Sequence, residues 1–380
     1  MNKKKVALVF SGGGSRGAYQ CGVWQALYEM GIKVDMVVGT SVGSINGAMC
    51  AQGDLELANQ LWRELETDML FDVEKEAGYV DFSKEFIRKG GAGTSGLQKR
   101  LKKYVDEDKI RNSEIDYGLV VVEFPQMKAH YLWKDEIESG LLHDYITASC
   151  SAFPALHSHE IKGKSYIDGG YGDVLPISMA RERGADSIIA VYLEAAGIRR
   201  SSLGKKAGED LTVIMPRWDL GNFLVFDTNK ARRLLRLGYL DAMKEFGVLD
   251  GNLYGFPKGS WDKRTIYRAE MAGKFFALDP TILYRPEYFI EVLGDKVHSM
   301  RANVDRLKSF ANINSLKALK SFPIQELSSS SVRGLLVLNI IDSFKEKGPD
   351  SIYATSKAMR LIGDEIKAAR FIMKEVLKNE

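Results

Sequence analysis

Two short apolar runs each end in a glycine-bearing turn that opens directly into a helical pattern, and this arrangement leaves the chain few folds to choose from. Residues 5–10 (Lys-Val-Ala-Leu-Val-Phe) lead through Ser11 and three glycines into a helical stretch over 17–30. Residues 35–39 (Asp-Met-Val-Val-Gly) lead through Thr40 and Ser41 into a second helical stretch that starts at 42–51. Further apolar runs at 118–123 and 187–193 also read as buried strands. Apolar strands without polar alternation are covered on both faces, and strand–helix alternation joins parallel neighbours. The pattern predicts an α/β fold of three layers, a mostly parallel sheet between helices.

The strand pattern fades after residues 250–260, a break rich in glycine around Pro257. Beyond it, 286–310, 329–347 and 350–379 read as helices separated by Pro286, Pro323 and Pro349. The expected division is a catalytic domain over 1–250 and a helical C-terminal region over 251–380, a reasonable split for 380 residues. The Gly-rich segment 90–96 reads as a connector in preference to a hinge.

A net charge of +3 argues against a dedicated nucleic-acid binder, and no nucleic-acid partner is expected. The cysteines Cys21, Cys50 and Cys150 show no paired spacing and read as reduced thiols of a cytosolic protein. The first apolar run stops at Phe10, too soon for a signal peptide, and 335–341 is too short to span a bilayer. The expected location is cytoplasmic, with peripheral contact at the inner membrane surface as an option.

Three motifs carry chemistry. Gly12-Gly13-Gly14-Ser15-Arg16-Gly17 lies between a strand and a helix, where bare backbone N–H groups attract an anion. It also satisfies the dinucleotide fingerprint, but the acid that would meet a ribose is missing from the far end of the second strand. That end holds Gly39-Thr40-Ser41-Val42-Gly43, a G-x-S-x-G turn between strand and helix that suits a nucleophilic serine in preference to a serine that only caps a helix. The third is Asp168-Gly169-Gly170, an acid at a strand end or a plain β-turn. None of His130, His143, His157, His159 and His298 lies in a setting that completes a triad. No cluster has metal-ligand spacing, and no metal or cofactor is expected.

In this order the three motifs resemble those of the patatin-like phospholipase family. The stretch Ala148-Ser149-Cys150-Ser151-Ala152-Phe153-Pro154 before the acid and Leu175-Pro176 after it add to the likeness, as does Leu237-Gly238-Tyr239-Leu240-Asp241-Ala242. The likeness covers roughly residues 5–245; Val174 departs from it, standing where members often carry asparagine. The resemblance implies a three-layer patatin-type fold and a phospholipase A-type lipid acyl hydrolase. Its Ser41–Asp168 dyad would work through an acyl-enzyme, without histidine or metal. It implies an oxyanion hole from Gly12, Gly13 and Gly14, chiefly the last two, with Arg16, Gly17, Gly39, Gly43, Gly169 and Gly170 in support. Arg16 would hold the loop or meet a phosphate head group, or equally be a plain surface arginine near the helix start. Met69, Leu70 and Phe71, near Trp62, suit either an acyl channel or core packing.

The C-terminal region carries 21 Lys and Arg against 15 Asp and Glu. Its last helix sets Met359, Ile362, Ile366, Met373 and Leu377 against interspersed basic residues. That pattern suits a membrane surface, and more readily a helix packed on a core. Two other readings stay open. One is a thioesterase or acyltransferase using the same dyad; the other is a non-catalytic anion- or dinucleotide-binding module using the Gly loop. The expected partner is a lipid or other acyl-ester substrate.

Overall fold

The computed structural model describes residues 4–72, 91–200, 210–311 and 330–378. The chain divides into two compact units, Met1–Glu245 and Phe246–Glu380.

The first unit is built on one eight-stranded sheet. In chain order its strands are β1 (Val6–Phe10), β2 (Met36–Thr40), β3 (Asp116–Phe124), β4 (Lys128–Trp133), β5 (His159–Ile161), β6 (Lys164–Asp168), β7 (Ser187–Val191) and β8 (Asp210–Ile214). They lie in the order β5-β6-β3-β2-β1-β7-β8, with β4 paired to β3. The block β3-β2-β1-β7-β8 is parallel throughout. The pairs β3–β4, β3–β6 and β5–β6 are antiparallel. The sheet is therefore mostly parallel, with an antiparallel margin.

Strand residues alternate between two buried faces. Ala7, Val9, Met36 and Val38 pack with Ile177, Met179 and Ala180 of the helix Ile177–Glu182. The intervening Leu8, Phe10 and Val37 are equally buried. On their side lie α1 (Gly17–Glu29) and α2 (Val42–Gln52), and Val37 and Tyr117 both approach Gly47 of α2. Helices on both faces explain the unbroken apolar runs and give the three layers expected.

One edge of β3 is shared between two strands. Its first part pairs with β2, from Met36↔Asp116 to Thr40↔Val120. Its last part pairs with β6, from Val121↔Asp168 to Phe124↔Ser165. β6 runs antiparallel toward the end of β2 and stops where β2 stops. Thr40 and Asp168 thus lie against successive residues of β3, and this register brings the two later motifs together.

The second unit has its own aromatic core. Tyr254, Phe256, Trp261, Phe289 and Phe371 pack with ring centroids 5.3–6.4 Å apart. A buried Glu270 carboxylate accepts the N–H groups of Asn252, Leu253 and Tyr254, and so closes the turn that opens this unit. The helices Pro286–Ala311 and Ser330–Lys347 lie within two residues of expectation. The continuous helix expected over 350–379 is instead broken into Ser356–Leu361, Gly363–Phe371 and a final turn Ile372–Val376. The chain leaves helical geometry at Ile362, before a glycine. Ile366, Phe371 and Leu377 are buried, whereas Lys357, Arg360, Arg370, Lys374 and Lys378 face outward, the arrangement of a helix packed on a core.

Of the Gly-rich segment, Gly90 lies outside the described residues. Ala92 is bridged to Leu156, and Ser95 opens the helix Ser95–Tyr104, so the rest behaves as a pinned connector. Among the described residues no helix is long and apolar enough to cross a membrane.

Candidate active site

Ser41 sits between β2 and α2 with φ 55° and ψ −128°, a backbone geometry that side chains other than glycine seldom adopt. Its surroundings hold it there. Its N–H donates to Ser149 Oγ at 2.9 Å, and that hydroxyl donates in turn to the Val120 carbonyl at 2.7 Å. Its carbonyl accepts the Ser44 hydroxyl at 2.6 Å. The flanking glycines are required by close approach. A Cβ on Gly39 would lie 2.0 Å from the Gly43 carbonyl oxygen, and one on Gly43 would lie 2.5 Å from that of Phe10. Without side chains there, α2 folds tightly onto the ends of β1 and β2, and Ser41 is carried clear of the sheet.

Asp168 ends β6 and is 7% exposed. Its N–H donates to the Ser151 carbonyl at 2.9 Å, and its Oδ1 accepts the Gly170 N–H at 2.7 Å. Burial raises its pKa to about 6, while the neighbouring Ser41 hydroxyl and the Gly170 N–H oppose that rise. The carboxylate faces the same cavity as Ser41, and its proton affinity is raised by desolvation.

The glycine loop lies beside them. The Gly12 N–H is committed to the Val174 carbonyl at 3.0 Å. Of the three expected oxyanion donors, Gly12 therefore drops out, because its hydrogen is already bound. The N–H groups of Gly13 and Gly14 have no backbone or side-chain acceptor among the described residues. Gly17 opens α1, and its N–H donates to the Gly14 carbonyl.

Arg16 holds the loop. Its Nε donates to the Gly221 carbonyl at 2.9 Å and its Nη1 to that of Leu193 at 3.4 Å. Ser15 N–H donates to the Phe223 carbonyl at 2.7 Å. Lys230 completes the clamp, donating to Ser15 Oγ at 2.8 Å, to the Val225 carbonyl at 3.2 Å, and to the Asn222 carbonyl. Burial, with Arg16 nearby, lowers the Lys230 pKa to about 8.

Ser41, Asp168, Gly13 and Gly14 all face a cavity of about 690 Å³. Its walls are mainly apolar, among them Met49, Leu61, Trp62, Leu70, Phe71, Leu97, Leu101 and Phe226. Trp62, Leu70 and Phe71 therefore line it, while Met69 is exposed and does not. Trp62 stacks on Phe226 at 6.1 Å and donates its indole N–H to Asn46 at 3.0 Å, which fixes that wall. Cys150 also lines the cavity; burial pushes its thiol well above the usual range, which keeps it protonated.

Among the described residues no histidine lines the cavity. His130 pairs with Glu123, His159 with Asp144, and His143 with the Val105 carbonyl. Among the described residues no group of His, Cys, Asp and Glu is arranged to hold a metal ion. Sequence reasoning missed Ser149 and Lys230. Ser149 lies in the stretch 148–154 that carried part of the family likeness, but nothing local marks its hydroxyl as the support of Ser41. Lys230 lies far from the glycine loop in sequence and looks like any basic helix residue.

Residues 8–181 match the family model described as Patatin-like phospholipase. Two curated relatives are similar. One is Lysophospholipase NTE1 of Saccharomyces cerevisiae, 29% identical over 253 residues, covering 63% of this chain and 14% of that protein. The other is Patatin-like phospholipase domain-containing protein 7 of Rattus norvegicus, 27% identical over 261 residues, covering 66% of this chain and 18% of that protein. The chain thus spans less than a fifth of the length of either relative. Among solved structures, VipD from Legionella pneumophila aligns over 96% of this chain and 88% of its own, with a TM-score of 0.41 and 11% identity. The matched residues 8–181, which contain the Gly loop, the Ser41 turn and the Asp168 motif, are thus similar to a patatin-like phospholipase domain.

Proposed function

We propose that the chain is a lipid acyl hydrolase of phospholipase A type, cleaving carboxylic esters by a Ser41–Asp168 dyad through an acyl-enzyme. The observation that carries this reading is that Ser41, on its strained turn, and the buried Asp168 open into one mainly apolar cavity of about 690 Å³. Ser41 Oγ attacks the ester carbonyl while its proton passes to Asp168. The oxyanion is met by the N–H groups of Gly13 and Gly14; one such donor typically lowers a barrier by roughly 3 kcal/mol. Collapse expels the alcohol, which takes the proton from Asp168. Water then adds to the acyl carbon, again giving its proton to Asp168, and the acid leaves as Ser41 is restored.

The names of the two relatives support a lipid substrate, and the apolar walls suit an acyl chain. A dinucleotide-binding role is disfavoured by the loop itself. Gly12 has spent its N–H on the Val174 carbonyl, so the loop lacks one of the donors a pyrophosphate would need. The test is hydrolysis of a phospholipid and of a p-nitrophenyl ester by wild type, Ser41→Ala and Asp168→Asn with a chelator present. Release of fatty acid by wild type, abolished in both variants and unaffected by chelator, is expected. Wild-type rates in both variants would overturn the mechanism.

A further inference from the structure

The lip of the cavity is built from side chains that soluble surfaces usually hide. Phe153, Tyr171 and Phe223 line the cavity and are also 37%, 38% and 42% exposed. Ile198, directly after the cavity-lining Gly197, is 52% exposed. Four separate loops supply these residues, so the cluster does not follow from one local sequence. Each loop is tied to the catalytic apparatus. The Phe153 carbonyl accepts the Tyr171 hydroxyl, and Tyr171 follows the Asp168 motif. The Phe223 carbonyl holds Ser15 of the glycine loop. Ile198 N–H donates to the Gly170 carbonyl at 2.9 Å, and its own carbonyl accepts the Val174 N–H.

The charge at this lip is net positive, with Arg100, Arg199 and Arg200 set against the exposed Glu194. Arg199 and Arg200 continue the exposed loop after Ile198. Arg199 lies over the Tyr192 ring at 5.5 Å, and Arg200 is anchored through the Gly172 carbonyl. Aromatic and aliphatic side chains flanked by arginine form the pattern that inserts among lipid head groups while its cations meet anionic phosphate.

The geometry points to this lip as a docking face for a negatively charged lipid bilayer, which seats the cavity mouth on the membrane so that an acyl chain passes into the cavity without crossing water. The inference rests on the lipid-hydrolase reading for its purpose, but docking is measurable without turnover. Its site is also distinct from the basic C-terminal helix that the sequence suggested for a membrane.

The experiment uses the full-length chain with Ser41→Ala, so that binding is read without hydrolysis. Its sedimentation with phosphatidylcholine vesicles is compared with and without phosphatidylglycerol. Ile198→Glu and Arg199→Glu, singly and together, are made in the same background and in the active chain. Binding that requires phosphatidylglycerol and weakens about tenfold or more in the double variant is expected. The active double variant should lose a similar factor on vesicles, while its rate on a dispersed p-nitrophenyl butyrate and its thermal midpoint stay unchanged. Equal binding by the double variant overturns the proposal. So does a wild type that hydrolyses the soluble ester but binds no vesicle, which would assign the lip to a protein partner instead. Variant-sensitive vesicle binding with no ester hydrolysis would sustain the docking face and overturn the hydrolase reading.

Discussion

Asp168 stands where the demands of stability and of chemistry conflict. A buried carboxylate with a pKa near 6 accepts a proton more readily than one in water, which suits a base facing a serine hydroxyl. The same shift burdens the fold at neutral pH. The folded state holds the Asp168 proton more tightly than the unfolded chain, whose carboxyl titrates near the reference value of 3.8. The stabilising contribution is therefore complete below that value and is lost as pH rises through about 6. Asp168→Asn should raise stability at pH 7 by on the order of 2–3 kcal/mol, with the gain vanishing near pH 4. Thermal melts across that range check this; a variant less stable than wild type at pH 7 would contradict it. In the wild type, kcat/KM should fall as pH drops below about 6, because protonated Asp168 cannot accept the serine proton. Much of Ser41 is legible in sequence, because a strand end, two glycines and a helix start are local features. Asp168 is not legible in that way. Its place beside Ser41 depends on β6 stopping against β2 along the same β3 edge, and only the family likeness anticipated it.

At the scale of elements, the glycine loop keeps its shape through a clamp from distant chain. Arg16 and Lys230 bind carbonyls of the 221–225 segment, and Ser15 binds Phe223. Removing one clamp should shift the Gly13 and Gly14 N–H groups without unfolding the sheet. Lys230→Met should lower kcat by on the order of tenfold to a hundredfold with little change in KM, since small misplacements of oriented donors are costly. Steady-state kinetics on a soluble ester check this, and an unchanged kcat would mean that the clamp is not needed for catalysis. The parallel strands β1, β2, β3 and β7 were readable because burial on both faces makes them continuously apolar; β8, half-buried at the sheet edge, was not. β5 was not readable, because His159 and Glu160 give no apolar run and the strand exists through pairing along the antiparallel margin, whereas β6 was legible as a strand ending at Asp168. The last helix was read as continuous because its apolar spacing carries across Ile362 and Gly363, where the backbone breaks.

At the scale of the whole molecule, the described residues that line the cavity belong to Met1–Glu245, and Phe246–Glu380 carries its own aromatic core. We expect two unfolding transitions in calorimetry, of which only one moves upward when a serine-reactive phosphonate occupies the cavity. A single transition that moves as a whole would show that the units unfold together. The central claim is that Ser41 is the nucleophile and Asp168 its base. The most direct test is to treat the full-length chain with a fluorophosphonate and to map the adduct by mass spectrometry while following its rate of formation. The account predicts one adduct on Ser41, none on Ser41→Ala, and labelling of Asp168→Asn slowed by roughly 10²–10⁴-fold. An adduct on another residue, or undiminished labelling of Asp168→Asn, would contradict it.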